Sequence, residues 1–195
     1  ALNAKEKYWN CLGFAVDPGV VHPEKVHELP VAEHLDNLRR GDQLDVVIAI
    51  GSPAVRRRIA DKLEAASVSF PSLVHPKAWV GENVALFDGV LICANACLTT
   101  DIRLAPHVHV NLSATIGHDA VIGAFSTISP GANISGNVRL GEAVDIGTGV
   151  TVIQGVEIGA NAVVGAGAAV VRSIPAGCTA VGVPAKVIKF GADQN

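Results

Sequence analysis

The chain has 195 residues, a formal net charge of -3 and only 17% charged residues, so it offers no basic surface to a phosphate backbone and nucleic acid is not an expected partner. Its 49% apolar content comes in short pieces, well below the roughly 18 unbroken apolar residues of a membrane span. Extended disorder is excluded as well, and the length suits one or two domains with a real core. The four cysteines, Cys11, Cys93, Cys97 and Cys178, make no CxxC pair. With no signal peptide in view, they read as free thiols of a reduced, cytoplasmic protein.

Composition divides the chain near Pro71. Residues 1–72 carry nine Lys/Arg, ten Asp/Glu and four glycines, whereas residues 73–195 carry six, eight and sixteen. In the first part, the run from Cys11 to Val16 reads as a strand, Val31 to Arg40 as an amphipathic helix and Leu44 to Ile50 as a buried strand. Pro53 to Ala66 reads as a second helix with proline at its start. Strands alternating with helices imply a small α/β domain with a parallel sheet. The turn Gly51-Ser52-Pro53 then lies at the carboxyl end of a strand, where open sheets bind ligands at helix N-termini, although such turns also occur without ligands.

The second part is governed by a period of six. Counting from Leu73, the second residue of all seventeen hexads, Val74 to Val170, is aliphatic. The sixth residue is Ala, Val or Ile in sixteen of them and Ser126 in the other. Such a register is the signature of a parallel β-helix, whose short strands alternate with turns and whose coils stack through backbone hydrogen bonds. With three hexads to a coil, residues 73–174 make nearly six coils, each about 4.8 Å above the last. A narrow core of that kind has room mainly for Val, Ile and Ala, which accounts for the scarcity of aromatics. Eighteen residues per coil also place Thr100 below His118, Gly136 above it, and Asp101, Asp119 and Asn137 in one column.

A repeat of this kind is scaffold, and its chemistry must come from residues that break the pattern. The hexads Val121-Ile122-Gly123, Arg139-Leu140-Gly141 and Glu157-Ile158-Gly159, with Gly182-Val183-Pro184-Ala185-Lys186, resemble the left-handed β-helix acyltransferases. The stretch Asn111 to Asp119, an asparagine followed after six residues by His118 and an acid, is similar to the sialic acid O-acetyltransferase family, which includes bacterial nucleotide-amino-sugar N-acetyltransferases. This resemblance implies the left hand of the coil, a partial Rossmann-like domain over residues 1–72 that binds a nucleotide sugar, and an acyltransferase domain over residues 73–195. It also implies a homotrimer with acetyl-CoA between neighbouring coils. Under it, His118 is the general base, Asp119 orients it, and Ser135, Gly136, Thr148 and Ala166 line the CoA groove. Lys186 is a candidate for a CoA phosphate or an ordinary solvated lysine, and no metal is expected. Asn111, Asp17, Gly51 and Ser52 are the candidate substrate-binding residues.

Three departures from the family pattern stand out. The chain opens at Ala1-Leu2-Asn3-Ala4 in what reads as a helix, where members usually have a strand and a Gly-rich turn. The acidic pair that commonly ends the second strand is Val16-Asp17, so Asp17 alone carries over. A second histidine, nine residues after the base in many members, is Thr127 here, which could still donate a hydrogen bond.

The chemistry asks for the histidine independently. Acetyl transfer from a thioester needs an amine or hydroxyl stripped of its proton, and imidazole titrates near working pH, with an unperturbed pKa of about 6.5. Of seven histidines, two directly precede an acid, His27 before Glu28 and His118 before Asp119, and of these two only His118 lies within the hexads. The expected reaction is acetyl transfer to the amino group of an activated sugar, with O-acetylation of a sialic-acid-like sugar as the alternative. His107 and His109 form an HxH that leaves a further reading open: a zinc-dependent hydratase of the same fold, with three histidines meeting across a trimer interface.

Overall fold

The computed structural model describes residues 9–16, 19–34, 44–64 and 68–191. The opening segment, Asp17 and most of the helix expected to end at Arg40 lie outside the described residues. The early elements are short: β1 (Phe14–Ala15), β2 (Lys25–Val26), β3 (Leu29–Ala32), β4 (Leu44–Asp45), α1 (Pro53–Leu63) and β5 (Val68–Ser69). β1 and β4 occupy only part of the strands expected over residues 11–16 and 44–50.

Val31 and Ala32, expected to begin a helix, instead close β3. That strand pairs parallel with β1 and antiparallel with β2. Ladder hydrogen bonds on two sides, with Val31 N–H also donating to the Glu24 carbonyl at 2.9 Å, outweigh an amphipathic pattern that begins on a β-branched residue. The described strands therefore form two small sheets, β1-β3-β2 and the parallel pair β4-β5, in place of one parallel sheet.

From Leu73 the fold is a β-helix. β6 (Leu73–Val74) to β22 (Ala169–Val170) follow at intervals of six, and each hexad contributes its first two residues as a strand. Strands three apart pair in parallel at an offset of eighteen residues, as Thr115 and Ile116 do with Asn133 and Ile134. Three sheets of six, five and eight strands form the faces of a prism, and all neighbours in them pair in parallel except β23 (Cys178–Val181) and β24 (Lys186–Phe190), an antiparallel pair that ends the eight-stranded face. Within each strand the first residue points out and the second in. Thus Ile116, Ile122 and Ile128 are fully buried in a core of Ile, Val, Leu and Ala that also takes the sixth residue of each hexad. Ser126 keeps the pattern because its hydroxyl donates to the Gly141 carbonyl at 3.0 Å and accepts from Val144 N–H at 3.1 Å.

The corners are made by the fifth residue of each hexad, which has positive φ without exception from Asn83 to Gly167. Most of these are Gly, Asn, Asp or Ser, the types for which the left-handed region costs least. The departures, His107, Phe125 and Ala143, share the corner between the five- and eight-stranded faces, where α1 docks. There the strain is offset by packing: the His107 ring stacks on Phe125 and meets Phe70 edge-on, with both pairs of centroids 4.9 Å apart. Among the described residues no helix is long and apolar enough to cross a membrane.

Truncating one core position should cost both burial and a cavity. Ile122→Ala is expected to destabilise the coil by about 2–5 kcal/mol, read from the denaturant midpoint, whereas the outward Val121→Ala should cost far less.

Candidate active site

β13 (Thr115–Ile116) is followed by Gly117, and the chain turns through His118 and Asp119 into β14 (Val121–Ile122). Asp119 has φ 60°, and this left-handed residue lets two neighbouring side chains converge where an extended strand would send them to opposite faces. His118 Nδ1 and Asp119 Oδ2 are 2.8 Å apart, with both side chains about half exposed. With Nδ1–H donating to the carboxylate, Nε2 keeps its lone pair and can take a proton.

Stacking places the rest of the corner. Asp119 N–H donates to the Thr100 carbonyl at 3.2 Å, and Asn137 N–H donates to the His118 carbonyl at 2.7 Å. The His118 ring therefore lies across Gly136, one coil up. A β-carbon at residue 136 would fall 2.5 Å from Nε2, so only glycine leaves the ring this position. Asp101 occupies the expected column but turns away from Asp119, accepting from Asn83 Nδ2 and Thr100 Oγ1, each at 3.1 Å.

The other expected site residues are distributed around the coil. Ser135 is half-buried beside Gly136 at the His118 corner. Asn111, Thr148 and Ala166 belong to the corner on the other side of the six-stranded face. There Asn111 Nδ2 donates to the Ile128 carbonyl at 3.2 Å, while Thr148 and Ala166 are exposed and stacked, with Gly167 N–H donating to the Thr148 carbonyl at 2.8 Å. Lys186 is exposed at the start of β24. Gly51 and Ser52 form the exposed turn into α1, with Ser52 at the N-cap in an extended conformation. One chain thus brings His118, Asp119, Ser135 and Gly136 together and leaves the Asn111 and Gly51 groups elsewhere on the prism.

The HxH pair has a different environment. His107 and His109 are buried on the eight-stranded side beneath the chain's own earlier elements, on another part of the coil from His118. Burial, then the Arg56 charge, holds the His107 imidazole below its usual range, with Asp88 opposing. His109 is pushed down to about 3 by burial, by Arg56 and by His107, with a backbone hydrogen bond at Ile48 opposing. The His107 ring is packed between Phe70 and Phe125 of its own chain. Among the described residues no three His, Cys, Asp or Glu side chains are grouped to hold an ion.

Sequence reasoning passed over Arg56, which has no exposed surface. Its Nε donates to the His107 carbonyl at 2.9 Å, Nη1 to Ile50 at 2.6 Å and Gly51 at 3.1 Å, and Nη2 to the Phe125 and Ser126 carbonyls at 2.6 and 3.2 Å and to Thr127 Oγ1 at 3.0 Å. Burial lowers its pKa to about 10, Asp145 opposing, so the guanidinium remains charged at neutral pH. Burial in turn raises the Asp145 carboxyl, and Arg56 offsets part of that. The available signal was spacing: Pro53, Arg56 and Ala60 are the buried residues of α1, at i, i+3 and i+7.

No family model matches the chain. A GDP-perosamine N-acetyltransferase of Escherichia coli O157:H7 is 31% identical over 89 residues, and in that match the chain spans 40% of the relative's length and 46% of its own. PerB from Caulobacter crescentus, solved in complex with CoA and GDP-perosamine, superposes with a TM-score of 0.81 at 33% identity, over 85% of this chain and 82% of that one. Variants of the C. crescentus enzyme with one histidine changed to asparagine or alanine have been solved with the same two ligands. The acetyltransferase domain of PglB from Neisseria gonorrhoeae FA1090, also solved in complex with acetyl coenzyme A, gives a TM-score of 0.83 at 36% identity over 90% of this chain and 86% of that one.

The buried histidines set an expectation for stability. His109 stays neutral when folded down to about pH 3 but titrates near 6.5 when unfolded, so between those values the unfolded chain binds more protons. Stability should therefore be full above about pH 6.5 and fall as pH drops toward 3. Urea midpoints measured across that window should show a shallower slope for His109→Gln.

Proposed function

The chain belongs to the hexapeptide-repeat nucleotide-amino-sugar N-acetyltransferases, and from that membership we propose that it transfers the acetyl group of acetyl-CoA to the amino group of a nucleotide-activated amino sugar. The observation that carries this reading is the exposed His118–Asp119 pair at 2.8 Å, its ring laid across the bare backbone of Gly136. As the sugar nitrogen attacks the thioester carbonyl, His118 Nε2 accepts the proton that the amine loses, and Asp119 holds the imidazole and stabilises its charged form. The C–N bond forms, the C–S bond breaks, and the departing CoA sulfur takes up the proton. Backbone amides at the turns are the candidate donors to the oxyanion.

Ser135, Gly136, Thr148 and Ala166 are assigned to the CoA groove, where small side chains let a pantetheine arm approach the backbone, and Lys186 to a CoA phosphate. Gly51, Ser52 and Asn111 are assigned to the sugar nucleotide. Residues 1–72 are read as a partial Rossmann-like unit that binds the nucleotide, and the coil as left-handed.

Two of these groups flank the six-stranded face, whose outward residues Trp79, Cys97, Thr115, Asn133, Thr151 and Ala169 carry no charge, and Trp79, Leu112 and Ile153 are exposed there or at its corners. An uncharged face between two half-sites supports a homotrimer in which the corner of one chain meets the complementary corner of the next.

A panel of nucleotide amino sugars beginning with GDP-perosamine, incubated with acetyl-CoA and read by mass spectrometry, tests the reaction. An N-acetylated product is expected, and acetylation confined to hydroxyls or absent altogether counts against it. His118→Ala should lower turnover by about 10²- to 10⁴-fold with an unchanged thermal midpoint. Light scattering should show a trimer, and a fully active monomer would refute that assembly.

A further inference from the structure

The Gly51–Ser52 turn is held from behind by the coil. Its Gly51 carbonyl accepts from Thr127 Oγ1 at 2.6 Å and from Arg56 Nη1 at 3.1 Å, and Arg56 joins the same spot to the His107, Phe125 and Ser126 carbonyls. Thr127 therefore does two things with one hydroxyl, donating to Gly51 and accepting from Arg56 Nη2 at 3.0 Å. The other side of the turn is open, since a β-carbon placed at Gly51 would meet nothing within 4 Å. Thr127 opens β15 (Thr127–Ile128), nine residues beyond His118, and between them lie only the turn, β14 and the next corner of the same coil. The coil backbone is rigid over this stretch because every strand in it is paired to the coils above and below.

We propose that Thr127 and Arg56 are positioning residues for the sugar nucleotide, locking the Gly51–Ser52 turn to the coil that carries His118 so that an amino sugar held by the turn is presented at a fixed place relative to the base. The inference rests on the reading of that turn as part of the substrate site. A hydroxyl at position 127 serves the turn and is not free for the acetyl group. The buried charge of Arg56 faces carbonyls on both sides of the junction, so the lock has no slack in either direction.

The test compares Thr127→Val, which keeps the shape and removes the hydroxyl, with Thr127→Ser, which restores it, and with Ser52→Trp, which blocks the outer side of the turn. Kinetics are measured with acetyl-CoA and GDP-perosamine, or the best acceptor of the panel above. Loss of one hydrogen-bonded partner should lower kcat/KM for the sugar about fivefold in Thr127→Val. KM for acetyl-CoA should stay within about twofold, and Thr127→Ser should recover most of the loss. If Ser52→Trp lowers kcat/KM for the sugar while Thr127→Val does not, the turn belongs to the substrate site and the lock is refuted. If Thr127→Val weakens both substrates equally and lowers the melting temperature, its role is general support of the fold, and the proposal fails. If Ser52→Trp leaves the sugar kinetics unchanged, the reading of the turn itself is wrong and the inference falls with it.

Discussion

Everything in this molecule depends on one constraint, the in-register stacking of eighteen-residue coils. Each backbone N–H of a strand finds a carbonyl one coil away, as Val121 does at Val138 and Thr127 at Val144, so no coil can slip without losing a row of hydrogen bonds and turning its aliphatic residues outward. That register carries short-range precision along the whole prism. It sets Gly136 above His118 and Thr100 below it, and it brings Gly117 so close to the next turn that a β-carbon there would meet the Gly136 nitrogen at 2.5 Å.

The faces of the prism differ in what covers them, and their chemistry differs accordingly. On the eight-stranded face the earlier elements exclude water, which lowers the affinity of His107 and His109 for protons and leaves His109 neutral down to about pH 3. At the corner after the six-stranded face none of the described residues covers His118, and its side chain is half exposed to solvent. Two kinds of histidine, one buried and one exposed, are separated by half a coil.

Arg56 illustrates how a buried charge is tolerated. Desolvation lowers its pKa, yet its guanidinium donates to five carbonyls and one hydroxyl drawn from three segments of chain. Removing any of these partners would expose part of that desolvation cost, so the side chain fixes the relation of α1 to the coil more firmly than apolar packing of Pro53 and Ala60 could. Around it the corner residues His107 and Phe125 accept left-handed backbone that Gly or Asn would adopt more readily, because their stacked rings pack under the helix.

How much of this was legible in the amino-acid order follows from the range of the forces involved. The coil, its offset of eighteen and the burial of the second and sixth hexad positions from Val90 onward were determined by sequence alone, because the same local preference recurs seventeen times and one register satisfies all of them. The His118–Asp119 pair was legible too, since the two residues are adjacent and the hexad position put them at a turn. The start of a helix at Val31 was misjudged, because pairing of β3 with strands on both sides is a tertiary matter that no local pattern records. Asp101 likewise stood in the expected column, yet only the placed side chains of Asn83 and Thr100 decided which way it turned. The junction of Arg56, Thr127 and Gly51 was beyond reach for the same reason: its partners are up to 76 residues apart and meet only when α1 lies on the coil, where burial converts an ordinary helical arginine into the pin between two parts of the chain.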